Sequence, residues 1–246
     1  MTAITSDTVP QAADEPAAFK AERRGYWQSV FQRLRRDPIT IFCATVILLV
    51  LLAAIFAPLV APADPYKTSM LHRLAPVGTD GFLLGTDELG RDMLTRLIYG
   101  GRVSLFTAIA PVFLALVIGG GLGIVAGFLG GHVNMIIMRC TDVFYAFPSI
   151  LLAIAISGAL GSGVVNAVIS LTLVFVPPIC RVAETVTTQV RNLDFIAAAR
   201  STPASTFRIL SVHVLGNVLG PILIYASGLV SVSIIIASGL SFLGLG

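Results

Sequence analysis

Charge is what this chain has least of. Asp, Glu, Lys and Arg make up 12% of its residues, against about 25% in a soluble globular domain. Too few charges remain to solvate the surface of a water-soluble fold. The formal net charge is only +3, and the Lys and Arg residues gather near the ends of apolar runs. That distribution fits membrane topology and speaks against a nucleic-acid partner. Cysteine is sparse too: Cys43, Cys140 and Cys180 lie in or beside apolar segments without ligand spacing, and read as small hydrophobes in helices. His72, His132 and His213 are far apart, with no carboxylate spacing that suggests a metal. The sequence also lacks a GxxxxGK[ST] phosphate loop, an HExxH and a GxSxG. No catalytic residue, metal or cofactor is expected, and the chain reads as a non-enzyme. If ATP drives it, another subunit must bring the phosphate loop.

What is abundant is apolar. Hydrophobic residues form 56% of the chain and mean hydropathy is +0.90. The apolar runs are long enough to span a bilayer as helices, which satisfy their own backbone groups. The fold class expected is all-α, a polytopic helical membrane protein. Residues 1–38 form an N-terminal segment whose first 18 residues are polar. Lys20, Arg23, Arg24, Arg33, Arg35 and Arg36 precede the first apolar run and place this end in the cytoplasm. Tyr26, Trp27 and Phe31 among them suggest a helix lying in the interface.

Residues 39–62 make the first span, ended by Pro58, Pro62 and Pro65. Residues 63–102, with five basic and five acidic side chains, then lie outside. Within them Thr86 is expected to cap a short helix whose first turn holds Asp87 and Glu88, with Asp92 and Arg96 as an i, i+4 pair. Catalysis by these carboxylates is outweighed by that capped-helix reading. Residues 103–246 form the main transmembrane domain, with spans at 103–129, 143–160, 164–182 and 217–240.

In the second span, Ala115, Gly119, Gly123, Gly127 and Gly131 recur every four residues. Gly119, Gly123 and Gly127 are the helix-packing candidates, since small residues let another helix approach closely. The GxGxxA string from Gly121 to Ala126 follows no strand and is not read as a nucleotide site. Arg139 and Asp142 sit at i, i+3 as a boundary pair, Pro148 should kink the third span early, and Pro177-Pro178 should bend or unwind the fourth. Arg181 and Glu184 mark the end of that span.

Residues 191–216 differ from a solvated loop. Phe195–Ala199 is a short apolar turn ending in Arg200. Ser201, Thr202 and Pro203 break it, and Phe207, Leu210, Val214 and Val218 resume helical spacing. A second helix starting at Pro203, with Ser201 or Thr202 as its cap, is expected. This helix–turn–helix between two spans has the makings of a surface that another protein touches.

Several of these strings resemble one family. DFIAAARSTPASTFRILSVHVLGNVLGP resembles the cytoplasmic EAA loop of bacterial ABC-importer membrane subunits. RRDPITIF…APLVAPADP, LGTDELGRD…TRLIYG and MRCTDVFYAFP resemble hallmarks of the C-type permease subunits of dipeptide, oligopeptide and nickel importers. The resemblance runs from Arg35 to Gly246. It implies an ATP-driven importer in the bacterial plasma (inner) membrane, a type I ABC permease working by alternating access. Implied partners are a homologous permease subunit, two ATP-binding-cassette ATPases, an extracytoplasmic solute-binding protein and the surrounding membrane lipid.

The same resemblance implies an ATPase-coupling role for Asp194, Phe195, Ala197, Ala198, Ala199, Arg200, Pro203, Ser205 and Phe207. Three marker residues of the loop differ: Ala197 stands where the family has Glu, Pro203 where it has Gly, and Gly216 where it has Pro. Ala197 offers neither a charge nor a cap, and Pro203 fixes φ at about −65°, so docking is expected to be weaker than in family members. The family has six spans and five are read here, with the last absent. A non-coupling remnant of such a permease is therefore an alternative. An ion-driven secondary transporter is a further one, opposed by the lack of any mid-membrane carboxylate or lysine. The family leaves the substrate open among dipeptides, oligopeptides, nickel and other small solutes, and no substrate-binding residue is assigned.

Overall fold

The computed structural model describes residues 37–246. The basic cluster from Lys20 to Arg36 and the interfacial helix around Trp27 lie outside the described residues. The chain divides into two units, one ending at Val50 and one running from Leu51 to Gly246. Helix α1 (Pro38–Ile55) crosses that division. Its start is dictated locally. Pro38 opens the helix, where its missing N–H costs nothing, and the Asp37 carboxylate accepts from the Ile39 N–H at 3.1 Å and from the Thr40 hydroxyl.

The second unit continues through a single turn, α2 (Ala57–Val60), and a 3-10 turn at Met70–His72. Six longer elements follow: α3 (Met93–Leu129), α4 (Gly131–Tyr145), α5 (Ser149–Leu160), α6 (Val164–Arg191), α7 (Asp194–Arg200) and α8 (Thr206–Phe242). Among the described residues there is no strand, only isolated bridges at Thr79–Phe82 and Thr86–Asp92. Helices α1, α3, α6 and α8 are each long and apolar enough to cross a membrane, and α4 with α5 forms a bent pair at 86°. Among the described residues that makes four candidate spans by length and composition, or five if the bent pair is one.

Helix α6 is central. Ala167, Leu171, Phe175, Ile179, Ala183 and Thr187 are buried along it every four residues, and Val174 and Val190 lie three residues after Leu171 and Thr187 beside them on that face. Phe128, Ala153, Val218 and Ile222 from its neighbours complete the core around that face. Of the two outcomes expected at Pro177-Pro178, bending or unwinding, the second does not occur: α6 stays helical from Val164 to Arg191. Prolines remove the N–H groups that would serve the carbonyls of Leu173 and Val174, but the buried side chains on either side hold the helix together. A sharp bend lies at another proline. At Ala146–Pro148 the chain turns between α4 and α5, because Pro148 lacks a donor and disfavours helical geometry at Phe147.

The helices also outrun the expected spans. Helix α3 begins at Met93 rather than Val103, α6 continues past Val182 to Arg191, and α8 begins at Thr206 rather than Asn217. Two π turns, Leu116–Gly120 in α3 and Ile209–Val214 in α8, interrupt otherwise regular helix.

Gly119, Gly123 and Gly127 of α3 lie against α6. A Cβ on each would stand 2.5, 2.2 and 2.6 Å from the carbonyl oxygens of Val176, Cys180 and Glu184. Both helices advance by four residues per contact in the same direction, so α3 and α6 run parallel and their C-terminal ends meet at one end of the bundle. A second tie joins α3 to α8. Pro111 deprives the Thr107 carbonyl of its helical donor, and the Ser233 hydroxyl takes that place at 2.9 Å in a buried contact.

Candidate functional site

Several charged side chains tie the helices together towards the end of the bundle where α3 and α6 finish. Arg191, in the last turn of α6, donates to the carbonyls of Gly127 and Phe128 at 3.2 and 3.5 Å. These are carbonyls of the last turn of α3, which no helical N–H can reach, and a cation there also suits the helix dipole. Two turns earlier, the Glu184 carboxylate accepts from the Asn134 amide at 2.6 Å and from the Thr188 hydroxyl at 3.1 Å, tying α4 to α6. Asp142 pairs with Arg181, not with Arg139 as the i, i+3 spacing suggested. The Arg181 guanidinium also lies 4.7 Å from the centre of the Tyr145 ring.

Directly beyond Arg191 the chain turns at Asn192–Leu193 and enters α7. Asp194 in its first turn and Arg200 in its last match the helix dipole. Ile196 is fully buried, and the Arg200 guanidinium stacks 4.9 Å from the centre of the Phe128 ring. So Arg200 fastens α7 to the last turn of α3, Ile196 is buried in the core, and Arg191, three residues before α7, ties the end of α6 to that same turn. Ala199 packs inward. Phe195, Ala197, Ala198, Pro203, Ser205 and Phe207 face outward, and Phe207 is 78% exposed.

The helix expected from Pro203 begins later. The hydroxyls of Ser201 and Thr202 donate back to the α7 carbonyls of Ala197 and Ala199, at 3.2 and 2.6 Å. Being used to end α7, neither is free to cap the next helix. Pro203 is left in the turn, and Ser205 becomes the cap, accepting from the Arg208 N–H at 3.4 Å.

Residues 63–92 fold without the expected capped helix. Thr86 does not cap; its hydroxyl accepts from the Ala75 N–H at 2.8 Å and donates to the His72 carbonyl. Asp87 gathers the turn, accepting from the N–H groups of Leu89 and Arg91, both at 2.9 Å, and from the side chains of Arg91 and Arg96. Arg96 therefore pairs with Asp87 and not with Asp92. Asp92 is buried and caps α3 itself, accepting from the Thr95 N–H at 2.8 Å. Thr95 in turn accepts from the Ala63 N–H at 3.3 Å, which brings the far end of the segment to the start of α3.

Gly85 and Gly90 carry this turn because both have positive φ, at 74° and 69°. A Cβ on either would collide with the backbone carbonyl of Ala75 or Ser69. Burial alone would push the Asp87 carboxyl up, but the hydrogen bonds and charge of Arg91 with the Leu89 N–H hold it down at about 2.

Sequence reading singled out α7 and its flanks, and Arg181 and Glu184 as the end of a span, but missed the bonds of Arg191 to α3, of Arg181 to Asp142 and of Glu184 to Asn134. These join positions 39 to 64 residues apart, and no periodicity reports such contacts. Their one advance signal was position, since each sits at the end of an apolar run. Among the described residues no three His, Cys, Asp or Glu side chains are grouped to hold a metal ion.

A helical bundle with several helices long and apolar enough to cross a membrane is that of a polytopic membrane protein. Residues 119–246, more than half of the chain, match the family described as the binding-protein-dependent transport system inner membrane component. Residues 25–76 match the N-terminal TM domain of oligopeptide transport permease C. The chain is 38% identical over 240 residues to the di/tripeptide transport system permease protein DppC of Pseudomonas aeruginosa, covering 96% of this chain and 78% of that one. It is 38% identical over 220 residues to the dipeptide transport system permease protein DppC of Alkalihalophilus pseudofirmus, covering 89% and 72%. It is 36% identical over 220 residues to the glutathione transport system permease protein GsiD of Pectobacterium atrosepticum, covering 89% and 73%. The chain belongs to the family of binding-protein-dependent inner-membrane transport components, and is a multi-pass protein of the plasma (inner) membrane.

Proposed function

We propose that this chain is the membrane-spanning permease subunit of an ATP-driven importer for peptides or similar small solutes. It works beside a homologous permease subunit, with two ATPase subunits below and a solute-binding protein outside. The reading of the substrate rests on relatives named for di- and tripeptide, dipeptide and glutathione transport.

The observation that carries the coupling role is the construction of α7. It presents Phe195, Ala197, Ala198, Pro203 and Phe207 outward, while Arg200 holds it to the last turn of α3, to which Arg191 also ties the end of α6. A partner that displaces α7 would displace that helix pair with it. That is how closure of an ATPase dimer would rock the spans between inward-open and outward-open forms. In this reading the N-terminus and α7 are cytoplasmic and residues 63–102 lie outside. The chain lacks a phosphate loop, so hydrolysis belongs to the ATPase.

The test is co-expression with the cognate ATPase. The parent should be recovered with the ATPase, and Ala197→Glu with Pro203→Gly should be recovered more strongly. Deletion of the chain should abolish uptake of a dipeptide, with competition by glutathione separating the two substrate readings. Failure of both forms to associate, even with the partner permease present, would leave the non-coupling reading in place.

A further inference from the structure

A cavity of about 330 Å³ lies beside the α4–α5 bend, within the range of small-ligand sites, about 300–1,000 Å³. Phe144, Tyr145, Phe147 and Phe175 line it, with Ser149 and the Pro177-Pro178 pair. Its body is aromatic, but its surroundings are not inert. Pro177 and Pro178 bring no N–H to the carbonyls of Leu173 and Val174, and Val174 itself lines the cavity. The rim is charged. Asp142 stands three residues before Tyr145 on α4, and Arg181 three residues after Pro178 on α6, so each lies one turn from the lining on the same helix face. The two pair with each other, and Tyr145, shared between cavity and rim, lies against the Arg181 guanidinium. Their side chains are 43% and 47% exposed, so a ligand can reach both.

The geometry points to a subsite for a small zwitterionic peptide with an apolar side chain. Its carboxylate takes the planar fork of Arg181, its ammonium takes Asp142, and its side chain enters the aromatic cavity. A zwitterion fits better than an ion of one sign. It replaces the Asp142–Arg181 pair charge for charge, whereas a plain anion would strand Asp142 beside a like charge. The ligand thus opens the tie between α4 and α6 as it binds. This inference rests on the transport reading above and deepens it by naming the charge pattern of the substrate.

The experiment uses inside-out membrane vesicles containing the complete importer, so that the extracytoplasmic binding protein plays no part in selection. Cys43, Cys140 and Cys180 are replaced, and S149C, at an exposed lining position, is labelled with a maleimide in the presence of Gly-Phe or of N-acetyl-Gly-Phe-amide. Gly-Phe should slow labelling and the doubly capped peptide should not. R181Q should raise the half-protecting concentration of Gly-Phe about tenfold, the equivalent of one charge-assisted hydrogen bond. D142N should make protection indifferent to N-acetylation.

The charge-swapped D142R/R181D restores a salt bridge but reverses the site, and should not restore protection. Labelling unchanged by Gly-Phe, equal protection by the capped peptide, or full recovery in the swapped variant would each overturn the subsite. The S149C comparison needs no charge variant, so it decides even if R181Q fails to assemble. Uptake of dipeptide that survives deletion of the whole chain would instead overturn the transport reading.

Discussion

Two side chains show how single residues repair what the backbone loses. Pro111 leaves the Thr107 carbonyl without a helical donor, and Ser233 supplies one from α8 at 2.9 Å. Ser233→Ala should lower the thermal midpoint of the purified protein in detergent, by an amount corresponding to about 0.6–2 kcal/mol. Ser233→Thr, which keeps the hydroxyl, should cost less. Asp87 does the equivalent work in the 63–92 turn, binding two N–H groups and two arginines. Its carboxyl sits at about 2 in the fold against an ordinary 3.8. A group depressed in this way stabilises the folded turn at neutral pH and loses that contribution as pH falls from about 4 towards 2. Limited proteolysis of residues 63–92 should therefore increase across that window. In Asp87→Asn it should be raised already at neutral pH and change little on acidification.

At the scale of elements, the charged ties decide which helices move together. Arg191 ends α6 and holds the final turn of α3, and Arg200 holds α7 to Phe128 of that same turn. Arg191→Met keeps the aliphatic stem and removes the hydrogen bonds. The expected outcome is retained ATPase binding with less peptide transported per ATP hydrolysed, measured in proteoliposomes. Arg191→Lys, with one ammonium in place of a fork, should recover part of the ratio. A fall in ATP hydrolysis and transport by the same factor would assign Arg191 to assembly instead.

For the whole molecule the governing expectation is orientation. The parallel register of α3 and α6 puts Leu129 and Arg191 at one end of the bundle, and Thr79 belongs to the segment that precedes the opposite end of α3. The basic residues before α1 carry the expectation that the N-terminus is cytoplasmic. In a cysteine-free background, a cysteine at position 79 should be labelled by an impermeant reagent on intact cells. One at position 192 should be labelled only after permeabilisation. The reverse pattern would invert the whole assignment, including the side from which an ATPase could reach α7.

The membrane class, the all-helical fold and the location of the apolar segments were determined by the sequence itself. They depend on quantities additive along the chain: hydropathy, charge content and the position of basic residues. The glycine spacing in α3 and the apolar character of 195–207 were legible for the same reason, since periodicity is local. Partners were not. Asp142 faces Arg181 across 39 residues and Glu184 faces Asn134 across 50, and the nearer Arg139 lost to geometry that only packing creates.

Local rules also competed, and the tertiary structure chose between them. Ser201 and Thr202 could end one helix or begin another, and bonding to α7 left the second start to Ser205. Pro177-Pro178 could have broken α6. Burial of Phe175 and Ile179 on either side kept it whole, while Pro148, among the exposed residues 146–150, bent its helix pair by 86°. Proline removes the same donor in both places; whether the chain yields depends on how much buried surface would be lost if it did.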